Sequence, residues 1–260
     1  MTWATRRRII YITGVVIFFG IVVGGPLAYH FLTIPPTCHD GIQNRGETGI
    51  DQGGPCLMLN ALDLQPEGVL WTRAFLVRPG VTDAVAYIDN PNENAGVLQV
   101  PYELDVYDDK NTLIQDVSGT TFIMPEGVTP IFVGNIQTGN RTPRYAQFKL
   151  KSAPVWEKVT DPAAAIKVSN LQTTIDTNSS EVSANALNTS VSDATNVTFV
   201  ATVFDPGGNA IATSQTALQK LPAGENQQIY FTWPAAFSGP VGSIDIIPLV
   251  QPQPDRTAQQ

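Results

Sequence analysis

The pattern of apolar and polar positions divides the chain into one long apolar run and a later region of short alternating segments. Residues 9–32 contain no acidic side chain, no lysine and no arginine, and apolar residues fall on every side of a helix drawn through them. As a helix, these 24 residues extend about 36 Å, enough to cross a bilayer core roughly 30 Å thick. We therefore predict a transmembrane helix over residues 9–32.

Three arginines, Arg6, Arg7 and Arg8, come directly before this run. The positive-inside rule places them in the cytoplasm, so residues 1–8 are predicted to lie inside the cell and the rest of the chain outside. The alternative is a cleaved secretory signal, whose apolar part is typically about 7–15 residues and ends in a small-x-small site. This run is longer, and the segment 26–30 is a poor cleavage site, so we predict an uncleaved single-pass anchor whose first partner is the lipid bilayer.

Beyond residue 60 the chain alternates apolar and polar residues and repeats itself with an offset of 97 residues. The inward positions of the matching strands are predicted to be Val100, Tyr102, Leu104 and Val106 in the first copy, and Val197, Phe199, Ala201 and Val203 in the second. The outward positions are predicted to be Glu103 and Asp105, and Asn196, Thr198 and Thr202. A shared period with a shared pattern indicates a duplication.

Each copy has six predicted strands, separated by turn-forming residues. Their ranges are 69–77, 84–89, 100–106, 112–117, 130–136 and 144–150, then 166–175, 181–187, 197–203, 210–217, 228–233 and 243–249. The fold prediction is a mainly β protein: a single N-terminal transmembrane helix followed by two tandem antiparallel immunoglobulin-like β-sandwich domains. The predicted boundaries are 33–60 for an acidic loop, 61–155 and 166–250 for the sandwiches, 156–165 for a linker and 251–260 for a disordered tail.

The charge of the chain restricts its partners. The formal net charge is −8, and the region after residue 32 has 12 Lys and Arg against 23 acids, a net charge of −11. Nucleic-acid binding depends on neutralising phosphates with basic side chains, so a nucleic-acid partner is excluded. The partner that we expect is therefore an envelope or surface protein of unknown identity.

The chain contains two cysteines, Cys38 and Cys56, and both follow the predicted anchor. Outside the membrane the environment is oxidising, where such a pair usually forms a disulfide. The alternative is a pair of free thiols.

The segment between the cysteines has the composition of a cation-binding loop. Asp40, Asn44, Glu47 and Asp51 supply side-chain oxygens, the ligand type that calcium prefers. Gly41, Gly46, Gly49, Gly53 and Gly54 permit positive φ values that turn carbonyls inward. The spacing is not that of an EF-hand. Two alternatives remain: a glycine-rich turn held only by the disulfide, whose closure stabilises by roughly 3 kcal/mol, and zinc, for which His39 is the one nearby imidazole.

This segment resembles a recurrent acidic, cysteine-capped module of bacterial surface proteins, of the form C-x-D-G-x-x-N-x-G-E-x-x-x-D-C-G-G-x-C. The matching positions are Cys38, Asp40, Gly41, Asn44, Gly46, Glu47, Asp51, Gly53, Gly54 and Cys56. Gln52 stands where the module usually has a third cysteine, which leaves Cys38–Cys56 as the one intrachain bridge. The resemblance implies a short extracellular module near the membrane with calcium as its candidate ion.

The two repeats resemble the FxLYD-type domains of bacterial and archaeal surface proteins. The resemblance rests on Leu104-x-Val106-Tyr107-Asp108 and Ala201-x-Val203-Phe204-Asp205, each followed by a Pro-x-Gly turn. The second copy departs from the motif at Ala201 and Phe204. The resemblance covers most of residues 65–250 and implies extracellular modules without an assigned activity.

The sequence offers little for catalysis. Its two histidines, His30 and His39, both precede the β region, and no GxSxG, SxxK, HExxH or phosphate-binding glycine loop occurs. We therefore predict a non-enzymatic, membrane-anchored structural or binding protein with a role in adhesion, scaffolding or envelope assembly. The alternatives are an auxiliary subunit of a membrane export or transport complex, for which Gly20 and Gly24 give a helix-pairing spacing, and a hydrolase.

Overall fold

The N-terminal segment forms one long helix, α1, from Trp3 to Thr33. The structure, a computed structural model, describes residues 3–33, 37–44 and 46–255; the remainder of the predicted cytoplasmic segment, acidic loop and tail lies outside the described residues. Residues 3–29 of α1 are exposed, and the helix is long and apolar enough to cross a membrane. Such a helix fits a membrane anchor or a signal sequence.

The rest of the described chain is mainly β-structure, as the alternation predicted. Every predicted strand overlaps an observed strand, although the observed β3 begins five residues earlier and β4 ends six residues later than predicted. The strands are β1 (Gly68–Arg78), β2 (Val81–Asn90), β3 (Ala95–Tyr107), β4 (Leu113–Ile123), β5 (Gly127–Gln137), β6 (Tyr145–Leu150), β7 (Glu157–Thr160), β8 (Ile166–Asp176), β9 (Ser179–Asn188), β10 (Ala194–Phe204), β11 (Ala210–Leu221), β12 (Asn226–Trp233), β13 (Ser243–Leu249) and β14 (Gln253–Pro254).

The first repeat consists of two antiparallel sheets with a shared core between them. One sheet has the order β1-β2-β5, and the other pairs β4, β3 and β6. The inward side chains of β3 are buried, as predicted, and Leu104 and Val106 are fully inaccessible. They pack against Ile88 of β2 and Ile131 of β5, so burial of apolar side chains from both sheets holds this repeat together.

The second repeat has the same strand order. Its sheets are β8-β9-β12 and β11-β10-β13. The predicted inward residues of β10 are all fully buried, and Phe199 packs in one cluster with Ile229 and Phe231 of β12. The equal order of strands in both halves is what a duplicated sequence pattern leads one to expect.

The two repeats pack against each other, which the sequence did not predict. Val85 and Tyr87 of β2 point away from their own core and belong to the apolar cluster of the second repeat. On β10 the outward residues Val200 and Thr202 are also fully buried. The prediction placed Thr202 on the outer face of its sheet, but it is shielded from solvent because the β1-β2-β5 sheet of the first repeat covers that face.

The predicted linker 156–165 contains a strand of the first repeat. β7 pairs with the start of β3, and Trp156 and Val159 are buried. β14 in turn pairs with β7, and the Asp255 N–H donates to the Lys158 carbonyl at 2.9 Å. Within the predicted disordered tail 251–260, residues 253–255 are therefore held by hydrogen bonds, because β7 offers an edge that they complete.

Candidate functional site

The acidic segment between the cysteines forms a closed loop, and Cys38 and Cys56 are joined by the predicted disulfide. Four of its five glycines have positive φ values; Gly49 does not. A Cβ added to Gly53 would lie 2.1 Å from Thr48 Oγ1, and one added to Gly54 would lie 2.3 Å from a backbone carbonyl oxygen. The tight fold of this loop therefore requires glycine at both positions.

Two predicted cation ligands, Asp40 and Asp51, act as hydrogen-bond acceptors that hold the start of the loop. Asp51 Oδ1 accepts from the Asp40 N–H at 3.0 Å, and both its oxygens accept from the Gly41 N–H. Asp40 accepts from the Asn44 side-chain amide at 2.9 Å and from the Thr37 N–H at 3.1 Å. These donors, the Asn44 amide first, hold the pKa of Asp40 below its usual value.

Glu47 is the most buried acid of the loop, with 6% of its surface exposed. Its Oε2 accepts from the Asn44 N–H at 3.1 Å. Its Oε1 lies 3.1 Å from Cys56 Sγ. A disulfide sulfur has no hydrogen to donate, so this contact is not a hydrogen bond. The structure therefore joins all four predicted ligands in one network, with Glu47 against the disulfide.

The network provides a test of the calcium prediction. Among the side-chain oxygens of the four predicted ligands, the buried Asn44 Oδ1 has no hydrogen-bond partner in the described part of the chain, and Glu47 Oε1 has only the contact with the disulfide sulfur. Calcium takes about 6–8 oxygen ligands, so Asp40 and Asp51 would also have to exchange N–H donors for the ion. The loop contains oxygens of the type that calcium prefers but uses most of those on the predicted ligands for its own closure, and calcium stays a prediction.

The same loop also brings Cys38, Glu47 and Cys56 together, with their ligand atoms within 4.8 Å of one another. Both sulfurs are held in the disulfide, however, and zinc binds cysteine as the thiolate. This group gives the zinc alternative no support in the oxidised protein.

The loop is fixed to the first repeat through β7. Lys158 N–H donates to the Leu57 carbonyl at 2.8 Å, and Leu59 N–H donates to the Trp156 carbonyl at 2.9 Å. The Lys158 ammonium also donates to the Gly54 carbonyl. β7 therefore contacts the disulfide loop, β3 and the end of the described chain.

The aspartates of the FxLYD-like motif build turns. Asp108 Oδ1 accepts from the N–H groups of Lys110 and Thr112 at 2.9 and 2.8 Å. Asp205 Oδ1 accepts in the same way from Gly207 and Asn209, at 2.9 and 2.8 Å. Since both carboxylates satisfy backbone donors of the following turn, the motif aspartate has a structural role in each repeat.

A buried asparagine closes the corresponding loop in each repeat. The Asn90 amide donates to the carbonyls of Ala95 and Met124 at 2.7 and 2.8 Å. The Asn188 amide donates to Ser192 and Leu221 at 2.8 and 3.0 Å. Sequence comparison finds these asparagines in similar turns, one residue out of step with the 97-residue offset, but it does not reveal that they bridge two strands.

The contact between the repeats is aromatic, and sequence reasoning missed it. The Trp71 ring stacks on Tyr87 at a centroid distance of 4.2 Å and meets Phe204 edge-on at 6.2 Å. Trp71 thus contributes to the contact between repeats rather than to the core of the first. Part of the signal was present in the sequence: residues 84–88 are all apolar, and Val200 and Phe204 are apolar at outward positions of β10, although Thr198 and Thr202 are not.

The Tyr87 hydroxyl is the polar atom at the centre of this contact. It is buried and makes no hydrogen bond of normal geometry with any described residue, although the Thr202 side chain lies nearby. Burial raises the pKa of Tyr87 to about 12, and Thr202 offsets only part of this effect.

The three predicted orientation residues lie on the first turns of α1. Arg6, Arg7 and Arg8 are exposed, and the Arg7 guanidinium lies 4.2 Å from the centre of the Trp3 ring. This end of the helix is basic and aromatic, as expected for a segment at a membrane surface. The side on which it lies stays a prediction.

Known proteins give no assignment. No protein family matches the chain, and no curated protein matches it. Similar solved structures include a Bacteroides uniformis beta-glucuronidase (12% identity, 62% of this chain and 22% of that one, TM-score 0.21). Others are a putative beta-galactosidase from Bacteroides fragilis (12%, 68% and 33%, 0.22) and a glycoside hydrolase family 2 beta-glucuronidase (12%, 84% and 29%, 0.21). This chain spans a third or less of each, and such low TM-scores support no conclusion on activity.

Proposed function

We propose that this protein is a membrane-anchored scaffold that displays a rigid pair of β-sandwiches outside the cytoplasm and serves adhesion, binding or envelope assembly. The observation that carries the proposal is the buried contact between the repeats. Trp71 and Tyr87 of one repeat and Val200 and Phe204 of the other close a continuous apolar cluster, so the sandwiches form one body. An anchored, rigid body suits the presentation of a surface.

The attachment of this body near the anchor supports the same proposal. The disulfide loop leaves α1 and hydrogen-bonds to β7 through Leu57 and Leu59. The segment between the helix and the first sandwich is therefore fixed to the sandwich at its far end. A displayed body held in this way would keep a defined distance from the bilayer.

The finer classification is part of the proposal. We infer that both repeats are immunoglobulin-like and related to FxLYD domains. The strand order β1-β2-β5 against β4-β3-β6, repeated in the second half, supports this. The structural use of Asp108 and Asp205 also fits a motif that specifies a fold rather than an activity.

Protease protection tests the proposed topology. The full chain would be expressed in a bacterium with one epitope tag at each end, and spheroplasts would be treated with protease without detergent. We expect loss of the C-terminal tag, protection of the N-terminal tag and retention of the chain in membranes after a carbonate wash. A matched variant with Arg6, Arg7 and Arg8 changed to Glu should lose the uniform orientation. Release of a chain without α1 would identify a cleaved signal and contradict the proposal.

Calcium binding by the loop is tested separately by thermal unfolding of the full chain in detergent micelles. A ligand that binds only the folded state raises the melting temperature by mass action. We expect a higher melting temperature in millimolar calcium than in chelator, and loss of this difference in Asp51→Ala. Asp109→Ala, which removes an exposed acid in another turn, is the control. An equal melting temperature with and without calcium would leave the disulfide and the hydrogen bonds of Asp40 and Asp51 as the groups that hold this loop.

A further inference from the structure

A cleft of about 540 Å³ lies between the two repeats, on one side of their aromatic contact. Its walls come from β4 and β5 of the first repeat, from β10 and β11 of the second, and from residues 249–253, which run from β13 to β14. Ligand sites favour such clefts between domains, and their volumes are typically about 300–1,000 Å³. The cleft is therefore of a size and at a place where ligands bind.

The chemistry of this cleft differs from that of the chain as a whole. Of its 17 lining residues none has a charged side chain, and nine are Thr, Asn or Gln. The chain itself has a net charge of −8. A neutral, polar lining disfavours ions of either sign, because neither finds a charged partner there.

Several of these polar side chains are free to bind. Among the described residues the amides of Asn196 and Gln215 have no hydrogen-bond partner, and both are exposed at the cleft. Asn196 has a φ of +52°, and its strand pairing with β11 is interrupted at this position. Amide and hydroxyl groups both donate and accept hydrogen bonds, as sugar hydroxyls do.

Part of the cleft lining is apolar. Phe122 and Phe132 line it and also pack against the cluster that joins the repeats, and Pro130 and Leu249 are buried beside them. The apolar faces of sugar rings pack well on such surfaces. Because the cluster fixes both walls, binding would require little rearrangement, which favours affinity.

We propose that this cleft binds an uncharged glycan, with Asn196 and Gln215 as ligand-contacting residues at its rim. The proposal deepens the display function proposed above, since it names the class of molecule that the displayed body binds. Neutral polar side chains contact the hydroxyl groups, and the apolar floor contacts the ring faces.

Binding would be measured with the full chain in detergent micelles by calorimetry and saturation-transfer NMR. The probes are neutral oligosaccharides of glucose, mannose, galactose and N-acetylglucosamine, with oligogalacturonate as a charged glycan and an alternating Thr-Val peptide as a neutral peptide. The test variant combines Asn196→Gly and Gln215→Ala. Glycine accepts the positive φ at residue 196, so this change removes the amide without straining the backbone.

The control variant combines Asn170→Gly and Gln172→Ala in β8, because Asn170 also has a positive φ (+53°) and both residues lie outside the cleft. We expect saturable binding of at least one neutral oligosaccharide, weakened at least tenfold in the test variant and unchanged in the control. Binding of no neutral oligosaccharide, binding only of the charged glycan or the peptide, or equal binding by wild type and test variant would each overturn the proposal. Micelles impose no topology, so failure here leaves the protease-protection result intact, and the reverse holds too.

Discussion

The two repeats share a fold, yet they bury different outer faces, and equivalent positions show why. Val200 on the outer face of β10 is fully buried against the first repeat. Its counterpart 97 residues earlier is Glu103, which forms ion pairs with Lys149 at 2.5 Å and Lys151 at 3.1 Å. The same strand face is therefore apolar in β10, where the other repeat covers it, and charged in β3, where the other repeat does not.

The sheet β1-β2-β5 and its counterpart β8-β9-β12 show the same relation, but here the covered outer face belongs to the first repeat. Tyr87 on β2 is buried between the repeats, and its counterpart 98 residues later, Asn185, is polar. Likewise Val85 corresponds to Ser183. The offset of 98 follows from the matched asparagines, Asn90 and Asn188.

This difference shows why the two repeats associate through one pair of outer faces and not through the other pair. The contact joins non-equivalent faces, a heterologous arrangement that would continue indefinitely if every copy kept both apolar faces. Glu103 makes the uncovered outer face of β3 charged, and Asn185 makes the uncovered outer face of β9 polar. Neither face therefore offers the apolar surface that the contact between the repeats requires. A few outward positions thus decide which faces associate, while inward positions maintain the fold.

The largest expected effect comes from giving the second repeat the residue of the first. Val200→Glu buries an unpaired carboxylate between the repeats, and we expect the free energy of unfolding to fall by about 3–5 kcal/mol. Urea unfolding of the full chain in micelles, followed by tryptophan fluorescence, measures this. The reverse change, Glu103→Val, removes ion pairs that water screens, and should alter the free energy of unfolding much less than Val200→Glu does. Equal effects of the two changes would contradict the comparison.

Two substitutions of Tyr87 separate the contribution of its ring to the contact between the repeats from the contribution of its hydroxyl. Tyr87→Ala removes the ring that stacks on Trp71, and we expect a loss of about 3–5 kcal/mol, as for other large aromatic truncations. Tyr87→Phe removes a buried hydroxyl without a hydrogen bond of normal geometry, so it should leave stability unchanged or raise it by about 1 kcal/mol. A clear loss in Tyr87→Phe would mean that Thr202 pairs with this hydroxyl.

The pKa of Tyr87 adds a dependence on pH. The phenol ionises near pH 10 in the unfolded chain and near pH 12 in the folded protein. Between these values the unfolded state has lost the proton and the folded state retains it, so this residue lowers stability as the pH rises from 10 to 12. The difference in unfolding free energy between wild type and Tyr87→Phe should change over this range and stay constant below it.

A smaller loss of stability, equal in the two repeats, is expected from changing the buried asparagine that both repeats share. Asn90→Ala and Asn188→Ala each leave two carbonyls without their amide donor, and each should lower stability by roughly 2 kcal/mol. Gln172→Ala on the exposed β8 is the control and should change little. If one asparagine mattered much more than the other in urea unfolding, the loops would not be equivalent.

The smallest effect concerns the two motif aspartates. Arg141, 2.5 Å away, and the N–H groups of Thr112 and Lys110 lower the pKa of Asp108 to about 2. Backbone N–H groups and the Asn209 amide lower the pKa of Asp205. The stability from Asp108 is complete above pH 3.8 and is lost as the pH falls towards 2, so Asp108→Asn should flatten the acid limb. NMR titration should show that Arg141→Ala raises the pKa of Asp108 and leaves that of Asp205 unchanged.

Much of this molecule follows from its alternating pattern, because a period of two residues specifies both a strand and its inward face. The strands and the inward residues of β3 and β10 were predictable for this reason, and the disulfide was predictable because both cysteines follow the predicted anchor. The pattern does not say what covers an outward face, so the contact through Tyr87 and Thr202 was missed. β7 was missed because it has only four residues between proline-rich segments. In the acidic loop the composition identified four oxygen-bearing side chains that the fold brings together, but not that backbone N–H groups would engage most of their oxygens.

The convergence on β7 has a topological consequence. Leu57 and Asp255 both hydrogen-bond to the backbone of Lys158, one to its N–H and the other to its carbonyl. These two residues are therefore within about 10 Å, a span that roughly three extended residues cover. A circular permutant of residues 57–255, joined from 255 to 57 and opened in the exposed turn 177–178, would preserve both sandwiches and their contact. The chain from Leu57 to Asp255 thus begins and ends at neighbouring positions on β7.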